Sequence, residues 1–422
     1  MRKIFYSLYG HLLSLEVLRS AYKKVKRSNG AAGIDGQSLS DFDLNCLSEL
    51  TSLLLELKEK RYRPFPVKRV LIPKLGGGER ALGIPTVRDR IVQQALLTLL
   101  EPIFDADFHP SSYGYRKGRS CHQAIAKASL FIRQYNRKWV VDLDLSRCFD
   151  TLDHQIILAQ FKKRISDGSI LKLLDSFLKS GVMIGSDYLS TEVGSPQGGV
   201  ISPLIANVYL DQYDQFMKAR GHRIVRYADD ILVLCASRGA AENALRVTQA
   251  YLEQHLKLQV NEAKTHIIHS DDGVRFLGVE IFTDYTRIQD QKLNHLKHKV
   301  KKLTKRNTVR GVSELIEQLN PLLRGFVNYY RVANCKGTMR SLMQWLRRRL
   351  RAIQLSQWKK SSRLHRRLKQ LGFSPPFKHI KMRSWRGAKS PLASFAMPNK
   401  WFHSELGLID LATVTVGVSV QV

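Results

Sequence analysis

The stretch Arg223-Ile224-Val225-Arg226-Tyr227-Ala228-Asp229-Asp230-Ile231-Leu232-Val233-Leu234-Cys235 places two short apolar runs on either side of a polar centre. That pattern predicts a β-hairpin with two adjacent carboxylates at its tip. Aspartate is common in turns because it accepts local backbone hydrogen bonds, so an Asp pair alone carries no chemistry. A third carboxylate lies upstream. In KWVVDLDLSRCFD (residues 138–150), strand alternation puts Val140, Asp142 and Asp144 on one face and Trp139, Val141 and Leu143 on the other. Two strand-borne carboxylate clusters in one chain point to hard cations.

The charge balance indicates what those cations act upon. The chain has 68 Lys and Arg against 36 Asp and Glu, a formal net charge of +32, so a polyanionic partner is expected. The surplus is lopsided. Residues 291–401 hold 28 Lys and Arg but only Glu314 and Glu317 as acids, and they also contain Trp345, Trp358, Trp385 and Trp401. Basic residues interleaved with aromatics and regular leucines favour a folded nucleic-acid-binding segment over a solvated tail.

At 422 residues and 44% hydrophobic content, the chain can bury a large core and divide into two or three domains. Its five cysteines are scattered, without a CxxC pair. This argues against a disulfide framework or structural zinc and for a reducing, cytoplasmic setting. Polar residues interrupt the N-terminal run, so no signal peptide is expected. No apolar stretch approaches the roughly 18 residues of a membrane span.

Residues 1 to about 65 predict helices around the loop NGAAGIDG (29–36). Two strand-like runs follow, flanking the glycines of IPKLGGG (72–78), and then a helix from Val87 to Ile103. The loop FHPSSYGYRKGRS (108–120) sets rings among Arg116, Lys117 and Arg119. It suits a nucleic-acid backbone and equally a surface loop with satisfied tyrosines. GSPQGG (194–199) is a glycine-rich loop feeding a helix, where close backbone approach or a plain turn explains the glycines. An amphipathic helix is predicted over 240–256 and a short strand pair around Phe276. Beyond residue 290 the pattern becomes nearly all helical, placing a boundary near 287. From Ala412 onward the chain is weakly patterned and expected to be loosely ordered.

The ordered series IPKLGGG (72–78), the Asp144 strand, GSPQGG (194–199), YADD (227–230) and LLRGFVNYYR (322–331) resembles bacterial group II intron-encoded reverse transcriptases that also act as maturases. The resemblance runs from about residue 10 to 405. The cysteine pairs of the zinc-dependent endonuclease found in many relatives have no counterpart, so the endonuclease-lacking type is expected. The implied fold is α+β, a right-hand polymerase whose fingers and palm carry antiparallel sheet, followed by a helical thumb and a basic C-terminal segment. The expected divisions are an N-terminal extension (1–65), fingers and palm (66–287), thumb or maturase domain (288–360), a basic DNA- or RNA-binding segment (361–405) and a tail (406–422).

Carried over residue by residue, the resemblance makes Asp144, Asp229 and Asp230 the ligands of two Mg²⁺ ions, for which Mn²⁺ would substitute. Asp142 is left supporting or structural. Lys74 and Arg80 match residues that contact the dNTP triphosphate, Phe149 matches the steric gate beneath its sugar, and Gln197 matches a residue facing the templating pair. A core phenylalanine is the other reading of Phe149. Lys264 matches a general acid for pyrophosphate. Arg116, Lys117, Arg119, Arg347, Arg348, Arg349 and Arg351 are the expected nucleic-acid contacts. The implied partners are intron RNA, an RNA template with a DNA primer, target DNA and dNTPs. A free-standing relative in repair or defence and a binding-only splicing maturase are the alternatives.

Overall fold

Thr86 marks the point where extended chain becomes helix: its hydroxyl accepts the Asp89 amide at 3.1 Å, capping the helix Val87–Asp105. Behind the cap, Val87, Ile91, Leu96 and Leu100 are wholly buried, and this helix is the pillar of the N-terminal core. The computed structural model describes residues 3–73, 77–185, 187–190, 192–194, 198–378 and 388–414. Lys74 and Gln197 lie outside them. The chain forms two compact units, Met1–His269 and Ser270–Val422.

In the first unit, the helices Leu15–Arg27, Leu39–Leu44 and Cys46–Lys58 precede the strands, as the sequence predicts. Leu18, Ala21, Tyr22 and Val25 repeat at helical spacing and form the buried stripe of the first of these helices, which packs on Val87–Asp105. The strands of this unit are β1 (Val67–Pro73), β2 (Glu79–Ile84), β3 (Trp139–Leu143), β4 (Val182–Ile184), β5 (Asp187–Leu189), β6 (Arg223–Tyr227), β7 (Asp230–Cys235) and β8 (His266–His269). One sheet has the order β2-β1-β4-β5, with β1 and β4 parallel. The other is antiparallel in the order β6-β7-β3-β8. The helices Cys121–Arg133, Ser202–Ala219 and Arg238–Gln254 pack against this second sheet. Val140, Val141, Ile231, Leu232 and Val233 of β3 and β7 are fully buried. At about 1.5–3 kcal/mol per side chain, they hold the carboxylate-bearing ends of these strands together.

The second unit begins with the antiparallel strands β9 (Val274–Phe276), β10 (Val279–Ile281) and β11 (Thr286–Ile288). Helices Asp290–Leu303, Val312–Tyr330, Lys336–Trp358 and Ser361–Gln370 follow. The change from strand to helix near 287 therefore lies inside this unit. The Tyr329 hydroxyl donates to the Leu277 carbonyl at 3.0 Å, and the Tyr330 ring lies against Gly278, binding the three strands to the helices. Leu411–Val414 is a short helix, and the rest of the segment expected to be loosely ordered, from residue 415, lies outside the described residues. No helix among the described residues is long and apolar enough to cross a membrane.

Candidate active site

The hairpin predicted over 223–235 forms as β6 and β7, with Tyr227 paired to Asp230 across the turn. β7 is also paired to β3, Leu143 opposite Ile231 and Asp142 opposite Leu232. Continuing that register by one residue sets Asp144 beside Asp230. Directly opposed residues share a sheet face, so Asp142, Asp144 and Asp230 present their carboxylates on the same side.

Their proximity is visible in their acidity. Asp230 keeps some solvent contact, yet burial of its carboxyl first, and then the neighbouring Asp229, Asp142 and Asp144, push it up to about 7. Burial, then Asp144, pushes Asp142 up to about 6. Asp144 is fixed from the 261–265 turn: its Oδ2 accepts Asn261 Nδ2 at 2.9 Å and lies 3.4 Å from Lys264 Nζ, while its amide reaches Thr265 Oγ1 at 3.3 Å. Among the described residues no three His, Cys, Asp or Glu side chains close round a single point. Mg²⁺ does not require such a cage, since it keeps several waters and takes one or two carboxylates together with substrate phosphates. An excess of crowded carboxylate oxygens on one face fits that ion.

The turn is buttressed by a network that local sequence patterns do not reveal. Ala228 has φ +58°, a left-handed conformation that costs a non-glycine residue about 1–3 kcal/mol unless its surroundings impose it. Arg226 imposes it from within the core. Its Nη1 donates to the Ala228 carbonyl at 3.0 Å and to Asn207 Oδ1 at 2.9 Å, and its Nε donates to both carboxylate oxygens of Asp214 at 2.9 and 2.8 Å. Asn207 Nδ2 in turn donates to the Gly114 carbonyl at 2.9 Å, and a Cβ on Gly114 would collide with the Ala228 backbone. The signal available in the sequence was an arginine on the apolar face of a strand and an aspartate on the apolar face of the helix at 202–219.

Arg80 on β2 shares the neighbourhood of the aspartates, since Asp229, Arg80 and Asp230 all act on Tyr115, whose hydroxyl is raised chiefly by burial. Phe149 lies in a short helical turn, 6% exposed and within the main core. Gly194 and Gly198 have positive φ and approach other backbone closely: a Cβ on Gly194 would lie 2.7 Å from the Asp150 carbonyl oxygen, and one on Gly198 would strike the Gly83 carbonyl.

The basic residues divide. Lys117 and Arg119 are exposed, with Arg119 over the Tyr113 ring. Arg116 departs from the expectation of a nucleic-acid contact. It is buried, and its guanidinium is committed to Asp105 Oδ1 at 2.5 Å and to the carbonyls of Asp105, His109 and Ser112. In the second unit, Arg349 donates to Thr304 Oγ1 and O at 2.8 and 2.7 Å, and Arg351 to Met397 O and Asn399 Oδ1, both at 2.9 Å. Arg347 lies 3.1 Å from His403 Nε2, and Arg348 is half-buried. At least three of these four arginines hold helices together rather than standing free on the surface.

Two family models match the chain: Reverse transcriptase (RNA-dependent DNA polymerase) over residues 72–281, and Group II intron, maturase-specific domain over 293–372. Protein YkfC of Escherichia coli K12 is 35% identical over 317 residues, which cover 66% of this chain and 83% of YkfC. The group II intron-encoded protein LtrA of Lactococcus lactis is 28% identical over 77% of this chain and 63% of its own length. A putative COX1/OXI3 intron 2 protein of Saccharomyces cerevisiae is 27% identical over 79% of this chain and 49% of its own. The chain thus spans about half to two thirds of the length of the two intron-encoded proteins. With both models in sequence along one chain and the YADD hairpin within the first, the chain belongs to the group II intron-encoded reverse transcriptase and maturase family.

Proposed function

We propose that this protein is an RNA-directed DNA polymerase that copies RNA from a DNA primer with dNTPs, and that it binds a group II intron RNA to assist its splicing and retrohoming. The observation that carries the reading is the convergence of Asp144 and Asp230 on one sheet face, with Asp229 and Asp142 beside them. A protein that only binds RNA has no use for such a cluster.

In the reaction, the primer 3′-oxygen bonds to the α-phosphorus of the dNTP as the bond to the bridging oxygen breaks and pyrophosphate leaves. Two Mg²⁺ ions held by Asp144, Asp229 and Asp230 would lower the barrier by activating the hydroxyl and offsetting charge on pyrophosphate. The chain's part is placement. Arg226 fixes the turn that bears Asp229, while Asn261 and Thr265 fix Asp144. Arg80, and Lys74 by resemblance, would bind the triphosphate, and Gln197 would face the templating pair. Phe149 would close the space where a 2′-hydroxyl would sit. Lys264, which lies beside Asp144, would hand a proton to pyrophosphate. The five free cysteines suit a cytoplasmic setting.

Primer extension on an RNA template with dNTPs and Mg²⁺, run beside splicing of a group II intron RNA, tests both halves. Splicing without extension would leave a binding-only maturase.

A further inference from the structure

At the end of β6 opposite the aspartates, the first unit carries a cleft of about 320 Å³, lined in part by Lys127, Phe131, Tyr135, Lys218, His222 and Arg223. No Asp or Glu lines it among the described residues. Outside residues 291–401 the chain is close to charge balance, so a wall bearing three cations and no acid is not the background of a basic protein. Lys218 and Arg223 are exposed. Asp211, the carboxylate behind the wall, already accepts the His109 amide at 3.0 Å and Gln215 Nε2 at 3.2 Å.

The aromatic side of the cleft is organised. Phe131 is buried, Lys127 Nζ lies 5.0 Å over its ring, and Tyr135 meets it edge-on at 5.7 Å with about half of its own surface exposed. An exposed ring held in place by a buried one offers a stacking platform at low entropic cost. His109, also in the lining, accepts the Ser111 amide at Nδ1, which leaves Nε2 as its protonated nitrogen. The volume lies at the lower end of ligand pockets.

We infer that this cleft is a second nucleotide site, taking one phosphate-bearing nucleotide with its phosphate among Lys127, Lys218 and Arg223 and its base on Tyr135. Arg223 and Tyr227 are four residues apart on β6, about 13 Å at strand spacing, so the occupant is not the nucleotide at the aspartates. The shared chemistry is that of a free nucleoside monophosphate and of an unpaired nucleotide within an RNA strand.

Photolabelling the full chain with 8-azidoadenosine monophosphate in EDTA tests the site without metal or polymerisation, so its failure leaves the polymerase reading untouched. The label should map to the peptides around Tyr135 and residues 218–224. The paired change Lys218→Glu and Arg223→Glu should cut labelling about tenfold or more, as removal of one or two charge-assisted hydrogen bonds requires. Tyr135→Ala should weaken it as well. These side chains are exposed, and primer extension within about twofold of wild type shows that the fold has survived; labelling in such variants then answers directly. Labelling confined to other peptides, or undiminished in the paired variant, overturns the inference. A short single-stranded RNA carrying one 4-thiouridine gives the second arm. Crosslinking to the same peptides, competed by the monophosphate, identifies RNA as the source, whereas labelling by the monophosphate alone identifies the free nucleotide.

Discussion

Arg226 and Asp214 form a doubly hydrogen-bonded ion pair that solvent does not reach, and the guanidinium of that pair also holds the carbonyl of Ala228 in the turn bearing Asp229. Asp214→Asn keeps the shape but strands a buried positive charge, so it should cost about 3–5 kcal/mol of stability. Replacing both, Arg226→Met with Asp214→Leu, should restore much of the stability by removing both charges. Activity should stay low, because the Ala228 carbonyl then has no donor. Denaturant melts and primer extension on both variants separate the two effects. Full activity in the double variant would make the pair a core feature without influence on the turn.

Asp144→Asn and Asp229→Asn should each abolish primer extension while leaving RNA affinity nearly intact. Each removes a carboxylate charge from the site and none from the basic surface. Extension above a few per cent of wild type would remove that residue from the ligand set.

The raised pKa of Asp230 gives the metal-free protein a pH signature. A carboxyl at about 7 when folded holds its proton more tightly than in the unfolded chain, so its contribution favours the fold at low pH and is lost as pH rises through about 7. Asp230→Asn removes the penalty. In EDTA, the variant should melt above wild type at pH 7.5 and close to it at pH 4. Adding Mg²⁺ at pH 7.5 should raise the melting temperature of wild type and shrink the gap. An equal gap at both pH values would contradict a carboxyl at Asp230 raised by burial and its neighbouring carboxylates.

Phe149→Val should increase incorporation of ribonucleotides relative to deoxyribonucleotides. Because Phe149 is 6% exposed and sits in the core, the change should also destabilise the protein by about 2 kcal/mol through the space it leaves. Competition assays at a temperature where the variant is folded read the selectivity. Unchanged selectivity in an active variant would leave Phe149 with packing alone.

RNA affinity should follow the free cations rather than the densest ones. Neutralising the exposed Lys299, Lys301 and Lys302 should flatten the log–log dependence of binding on salt, by up to about 0.7–0.9 for each phosphate that is no longer neutralised. Arg349→Ala with Arg351→Ala should instead lower the melting temperature, since both side chains hold neighbouring segments of the unit. The opposite pattern would place the arginine cluster on the RNA.

Much of this was legible in the sequence. The hairpin at 223–235, the helix from Val87, predicted to Ile103 and running to Asp105, and the strand leading to Asp144 follow from periodicity, and the motif series implies that the carboxylates come together. What periodicity cannot convey is where a long side chain ends. Arg347, Arg349 and Arg351 form part of a charged run, but hydrogen bonds to His403, Thr304 and Met397 are tertiary facts. Arg226 likewise looks ordinary until Asp214 comes round from another element. The boundary near 287 follows the change of secondary structure, whereas Tyr329 and Tyr330 bind the preceding strands to the helices.

The position of β3 at the centre of its sheet has a consequence for biosynthesis. Its neighbours, β7 and β8, start at Asp230 and His266, so on the ribosome it must wait for chain not yet made. At about 5–20 residues per second, the roughly 90 residues between β3 and β7 take about 4–17 s to translate. Throughout that interval Val140 and Val141 belong to a strand with both hydrogen-bonding edges open. A nascent chain in that state is exposed to pairing with its neighbours on a polysome, so the yield of folded enzyme should depend on elongation speed and on chaperone capacity as well as on the stability of the finished molecule.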